Sequence, residues 1–224
     1  MSGKASALFN KIDIRAALLA ALTLVIQCVL YWLAQFITEA AGLQTHTLAT
    51  ALDSLIPFLP GFLVPYVGCF VHWALTYYIV YKTEDGFARL FTAAVVGYII
   101  CFIVYLAWPT TITRPADEAK GVWEFVYGVI CASDAPLNLF PSMHCMVAYL
   151  CAASTLSCPN AGRLYKAFSC IMLALVCMAT VFVKQHYVLD VLGGIMLGAA
   201  VWIMAGSGNV KMLSIHVYKA LKMH

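Results

Sequence analysis

The chain has 224 residues, 63% of them hydrophobic and 10% charged, with a net charge of +3, and its mean hydropathy is +0.89. A soluble domain carries about a quarter charged residues, so this composition excludes a protein with a wholly water-facing surface. The 13 basic residues are scattered rather than clustered, which excludes a nucleic-acid partner.

The polar opening segment, residues 1–15, carries Lys4, Lys11 and Arg15 and resembles a signal-peptide n-region. The apolar run that follows, Ala16 to about Thr38, is too long for an h-region and is predicted to be an uncleaved first span. Further spans are predicted over Gly61–Tyr81, Leu90–Trp108, Ser142–Ser157, Ala167–Val183 and Val188–Ala205, the fourth being short. One span needs about 20 apolar residues, so six use about 120 and leave loops but no separate soluble domain. The expectation is an all-α polytopic membrane protein of six transmembrane helices, forming one domain over residues 1–224.

Two segments between spans have apolar residues at helical spacing. Leu48, Leu52, Leu55 and Ile56 do so within Thr45–Ile56, and Val122, Val126, Val129 and Ile130 within Ala119–Ser133. Both are predicted to be short interfacial helices, acting as a lip for a lipid headgroup or as simple loop anchors. Pro57, Pro60 and Pro65 punctuate the start of the second span, where kinks are tolerated.

With the N-terminus inside, Lys4, Lys11, Arg15, Lys82, Arg89, Arg163, Lys166, Lys211, Lys219 and Lys222 are cytoplasmic, and Arg114, Lys120 and Lys184 lie outside. That excess satisfies the positive-inside rule and predicts both termini in the cytoplasm. Of nine cysteines, most fall inside apolar stretches; Cys158 falls in a cytoplasmic turn and Cys131 in an outer loop. They read as apolar fillers, and no C-x-x-C or Cys/His metal spacing occurs.

Three outer segments carry residues fit for phosphoryl transfer: Arg114-Pro115, Pro141-Ser142-Met143-His144, and Lys184 through Asp190. Between His144 and His186 the chain crosses the bilayer twice, so both histidines return to one face. Four residues apart on a helix, His186 and Asp190 would share a side, the carboxylate holding one imidazole tautomer and freeing the other nitrogen to attack. An acid within an apolar span is costly and usually functional. His144 opens a helix whose free N–H groups suit phosphate, with Ser142 as N-cap. An imidazole titrating near neutrality suits an acid for the leaving oxygen.

Pro-Ser-Met-His resembles the PSGH-type motif of the type 2 phosphatidic acid phosphatase (PAP2) superfamily; His186-x-x-x-Asp190 resembles its HxxxD motif, and Arg114-Pro115 the end of its KxxxxxxRP motif. The resemblance runs in motif order from Arg114 to Asp190, within an active-site region of about 109–190. It implies a PAP2-type helical bundle in which His186 is the nucleophile, Asp190 its orienting acid and His144 the general acid. It also implies that Arg114, Ser142 and Met143 bind phosphate, and that no metal or cofactor is required. Two cations of the family pattern are missing, since Ala107 and Thr180 stand where a lysine and an arginine are expected; Lys184 is expected to replace one, with Lys120 a weaker candidate. These losses resemble the branch containing inositol phosphorylceramide and sphingomyelin synthases.

The expected activity is hydrolysis of a lipid phosphate monoester or diphosphate through a phosphohistidine. Transfer of a phospho-headgroup to a lipid alcohol is the alternative, and a non-catalytic transporter or scramblase is the reading from another class. The expected partners are a lipid phosphate substrate and the bilayer; oligomeric state stays open. Elsewhere, His72 is expected to bond a neighbouring helix, and His46, His216 and His224 to be solvated. Asp134 and Glu118 are expected to be exposed loop charges. Gly194-x-x-x-Gly198 is expected to form an intramolecular packing face, and Asp53 has no assigned role.

Overall fold

The structure, a computed structural model, describes residues 13–115 and 119–222. Lys4, Lys11, Glu118 and His224 lie outside that range. Among the described residues there are nine α-helices and no strand: α1 (Ile14–Ala40), α2 (Ala51–Leu55), α3 (Leu63–Tyr81), α4 (Glu84–Ala107), α5 (Val122–Ser133), α6 (Met143–Ser157), α7 (Arg163–Phe182), α8 (Val188–Ala205) and α9 (Gly208–Lys222).

Helix α1 shows why this is a membrane bundle. It exposes Leu18, Leu22, Val25, Val29, Trp32 and Phe36, and buries Thr23, Gln27, Gln35 and Thr38. That polarity is inverted relative to a soluble helix, and it is stable where lipid is the solvent and polar groups find partners inside. Those partners are present: Thr23 Oγ1 lies 2.9 Å from Tyr81 Oη, Tyr98 donates to Gln27 at 3.2 Å, and Tyr77 pairs with Tyr98 at 2.9 Å. His72 lies within hydrogen-bonding distance of Ser169 and Tyr165 on α7, as expected.

Among the described residues, five helical segments are long and apolar enough to cross a membrane. The predicted fourth span is α6, and its 15 residues make a rod of about 22 Å, short of a hydrocarbon core of about 30 Å. Little of it faces lipid, because 10 of its 15 residues are buried, packed among α3, α4, α7 and α8. Gly194 and Gly198 make the closest approach possible. A Cβ on Gly194 would sit 2.3 Å from the Ser142 carbonyl, and one on Gly198 3.2 Å from that of Met146. The small-residue face is therefore the α6–α8 seam.

Helix ends follow local chemistry. Thr83 caps α4 by accepting from Gly86 N–H. Trp108 ends it just before Pro109, as a residue preceding proline is driven from helical backbone. Helix α7 ends on Lys184 at φ 53°, a left-handed turn of the kind that terminates helices.

Two expectations need correction. The helix expected across Thr45–Ile56 shrinks to Ala51–Leu55, because His46 exchanges backbone hydrogen bonds with Pro109 and Thr111 in a parallel bridge. For the same reason His46 is half-buried against Trp108 rather than solvated. After the last predicted span the chain continues as a helix. Helix α9 packs on α4, with Lys211 bonded to Asp85 at 2.9 Å and Lys219 to Glu84 at 3.3 Å.

Candidate active site

At the end of the bundle where α1, α4 and α7 finish and α6 and α8 begin, all three motif segments come together. Ser142 N–H donates to the Asp190 carbonyl at 2.9 Å, and Tyr105 donates to the Pro141 carbonyl at 2.9 Å. Thr110 Oγ1 accepts from both Leu139 and Phe140 N–H at 3.0 Å. The loop leaving α4 thereby fixes the loop entering α6. The rings of His144 and His186 stand 5.9 Å apart, edge to face.

His186 is not on a helix. Tyr187 is the N-cap of α8 and Asp190 its third residue, so the spacing of four reflects a cap rather than a shared helical side. Asp190 Oδ2 accepts Tyr187 N–H at 2.8 Å and lies 3.6 Å from His186 Nδ1. The latter is an ion-pair distance, too long for a hydrogen bond. Asp190 is fully buried and His186 is 7% exposed. The His186 N–H is held by the Thr180 carbonyl at 3.0 Å. Among the described residues, His186 Nδ1, Asp190 Oδ1 and His144 Nε2 have no hydrogen-bond partner. Such orphans are costly in an interior without a ligand.

His144 stacks on Tyr66 at 4.8 Å and meets the edges of Phe70 and Trp73. Ser142 is fully buried, and its hydroxyl caps α6 by accepting from Cys145 N–H at 3.4 Å. Met143 is buried beside it and contributes the first helical N–H of α6.

The cations differ from expectation in detail. Arg114 lines the same cavity as His186 and Lys184, and its guanidinium is clamped by the Asp134 carbonyl and, at 3.3 Å, by the Asp134 carboxylate. Asp134 in turn accepts from Tyr31 at 2.7 Å and Gln35 at 2.8 Å, both on α1. Asp134 is therefore no exposed loop charge; it anchors the arginine. The Lys184 ammonium donates to the carbonyls of Asp53 (3.1 Å) and Ile56. Lys120 is exposed and does not line the cavity. Where the missing cations would stand, Ala107 is exposed on α4 and Thr180 is buried near Cys145.

Asp53 is the residue that sequence reasoning missed. Its Oδ1 accepts the Val188 N–H at 2.8 Å, and its Oδ2 accepts the Thr50 N–H and hydroxyl at 2.8 and 2.6 Å. Burial pushes this carboxyl upward, but the Thr50 and Val188 donors and the Lys184 charge outweigh it and hold its pKa below the ordinary value. The Thr50-x-x-Asp53 spacing is a capping signature and could have flagged it.

Two cavities meet the histidine pair. One, about 330 Å³, holds His186, Arg114, Lys184 and Asp53, with exposed Ala49, Ser54 and Thr113 at its rim. The other, about 280 Å³, lies between α1, α3 and α5 and reaches His144 and Met143 past Tyr31, Trp32 and Phe70. A larger cavity, about 880 Å³, is an apolar groove between α3 and α7, and neither site histidine lines it.

A sequence profile described as the PAP2 superfamily matches residues 62–204, more than half of the chain, and spans all three motif segments. The chain belongs to the PAP2 superfamily. No curated protein and no solved structure matches it. PAP2 proteins are phosphatases and phosphotransferases, and this chain is a polytopic membrane member of that group. The PAP2 match begins at Phe62, so α1 and α2 fall outside it, although their Tyr31, Gln35 and Asp53 hold groups around the site.

Proposed function

We propose that this PAP2 protein is a lipid phosphatase that works through a phosphohistidine on the non-cytoplasmic face of the membrane. The observation that carries the reading is the pairing of His186 with a buried Asp190 at 3.6 Å, facing a polar cavity that also contains Arg114. The unprotonated nitrogen of His186 attacks phosphorus, and the bond from phosphorus to the lipid oxygen breaks. His144 donates a proton to that departing oxygen. Water then attacks the phosphohistidine, His144 takes its proton, and phosphate leaves with His186 restored.

In-line displacement sets the leaving oxygen opposite the nucleophile. The lipid alcohol therefore belongs on the His144 side, where the apolar cavity between α1 and α3 opens. The phosphate belongs in the His186 cavity with Arg114 and the free N–H groups of the motif loops, and the exposed rim of that cavity admits water.

Charge balance favours a second reading, phospho-headgroup transfer to a lipid alcohol. Arg114 and Lys184 are both engaged by protein carbonyls, and Asp53 shares their cavity. A singly charged phosphodiester suits that balance better than a doubly charged monoester. The test is a product profile from purified protein given labelled phosphatidic acid or a labelled glycerophospholipid, each with and without ceramide or diacylglycerol. Free phosphate from the first supports hydrolysis. A new labelled phospholipid that appears only with an acceptor supports transfer. Unchanged lipids in every arm, with substrate moved across vesicles, would leave a transporter.

A further inference from the structure

We propose that Asp53 is a positioning residue for His186, through which the α2 segment fixes the imidazole in line with phosphorus. This rests on His186 being the nucleophile. The geometry is a bracket. Two residues before His186, Lys184 is tied to the carbonyls of Asp53 and Ile56; two residues after it, the Val188 N–H is tied to Asp53 Oδ1 at 2.8 Å. Leu59 N–H adds a third tie to the Phe182 carbonyl at 2.9 Å. Asp53 itself is immobilised by the N–H and hydroxyl of Thr50.

Two features make this more than loop packing. The first N–H groups of any helix lack intrahelical partners. On α8, Tyr187 N–H goes to the motif acid Asp190, and Val188 N–H goes to a carboxylate 135 positions away in sequence. Moreover, a carboxylate in a cavity suited to phosphate is a liability unless its charge is spent. Here three N–H or O–H donors and the nearby Lys184 take up both oxygens. The other ionisable groups lining that cavity are Arg114, His186 and Tyr187. Displacing a reacting group by about 1 Å costs on the order of 100-fold in rate, which sets the scale of what such a bracket protects.

The experiment compares wild type with Asp53→Ala, Asp53→Asn and Lys184→Gly in detergent, using phosphatidic acid with labelled phosphate. It measures the single-turnover rate of His186 labelling, KM and melting temperature. Glycine at position 184 keeps the left-handed turn while removing the ammonium. Asp53→Ala is expected to slow labelling on the order of 10- to 100-fold, with KM within about two-fold of wild type. Asp53→Asn, whose amide oxygen still accepts from Val188, is expected to recover most of the rate, and Lys184→Gly to slow labelling less than Asp53→Ala. The proposal is overturned if folded Asp53→Ala labels at the wild-type rate. It is equally overturned if the defect lies in KM alone, which would make Asp53 a substrate contact, or if Asp53→Asn matches Asp53→Ala in rate. Wild type that turns the substrate over without ever labelling would instead remove the phosphohistidine reading itself.

Discussion

His186 and Asp190 lie close because Asp190 caps the helix that His186 precedes, and the cap and the imidazole compete for one carboxylate. Oδ2 accepts from Tyr187 while Nδ1 waits 3.6 Å away. Asparagine at 190 keeps an oxygen for the cap and loses the charge that would stabilise an imidazolium. Asp190→Asn is therefore expected to retain the fold and lower turnover on the order of 10²- to 10⁴-fold, measured as kcat beside an unchanged melting temperature. A lost fold would instead make the acid purely structural. Asp134 works differently, since it neutralises an arginine whose side chain is 7% exposed. Asp134→Ala leaves that charge without its carboxylate and is expected to cost about 1–3 kcal/mol of stability; an unchanged denaturation midpoint would contradict this. Asp134 and Asp53 were not assigned from sequence because Gln35 and Val188, which tie them to α1 and α8, lie 99 and 135 positions away; only the local Thr50-x-x-Asp53 spacing pointed to the second. His186, His144 and Arg114 could be singled out, since their chemistry is carried by residue type and by counting membrane crossings.

Elements were legible where hydropathy alone decides them, as for α1, α3, α4, α7 and α8. Helix α6 is short because it is sheathed by other helices, and α9 escaped notice because its apolar residues alternate with lysines that pair to α4. Helix α2 was overextended, since apolar spacing cannot reveal that His46 is claimed by a backbone bridge. The α6–α8 seam carries a sharp prediction. A methyl on Gly194 meets the Ser142 carbonyl at 2.3 Å, and backbone cannot step aside. Gly194→Ala is expected to destabilise by about 1–3 kcal/mol and to depress activity further than the melting point alone explains, as Ser142 is the hinge between both motifs. Activity that falls only with folded fraction would contradict the second half. The α2–α8 tie adds a pH dependence. The Asp53 pKa is lower folded than unfolded, so its stabilising effect is complete above the unfolded value of about 4 and is lost as pH falls through the folded value. Wild type is expected to lose melting temperature below about pH 4 by more than Asp53→Asn does; equal acid sensitivity would show that Asp53 contributes nothing.

At the scale of the whole molecule, the bundle separates two environments around one pair of imidazoles. The polar cavity with Arg114 and Asp53 meets His186, and an apolar cavity between α1 and α3 meets His144. A lipid phosphate has this same division, with charge at one end and hydrocarbon at the other. The arrangement gives α1, which lies outside the family match, two tasks: it walls the apolar cavity with Tyr31 and Trp32, and it steadies Asp134 through Tyr31 and Gln35. The account turns on covalent chemistry at one ring. Brief incubation of purified protein with phosphatidic acid bearing labelled phosphate, followed by alkaline quench and peptide mapping, reads it directly. The account predicts an acid-labile, alkali-stable label on the peptide containing His186, absent from His186→Ala and accumulating in His144→Ala if dephosphorylation slows more than formation. Turnover with no label on that peptide, or full turnover by His186→Ala, would contradict it.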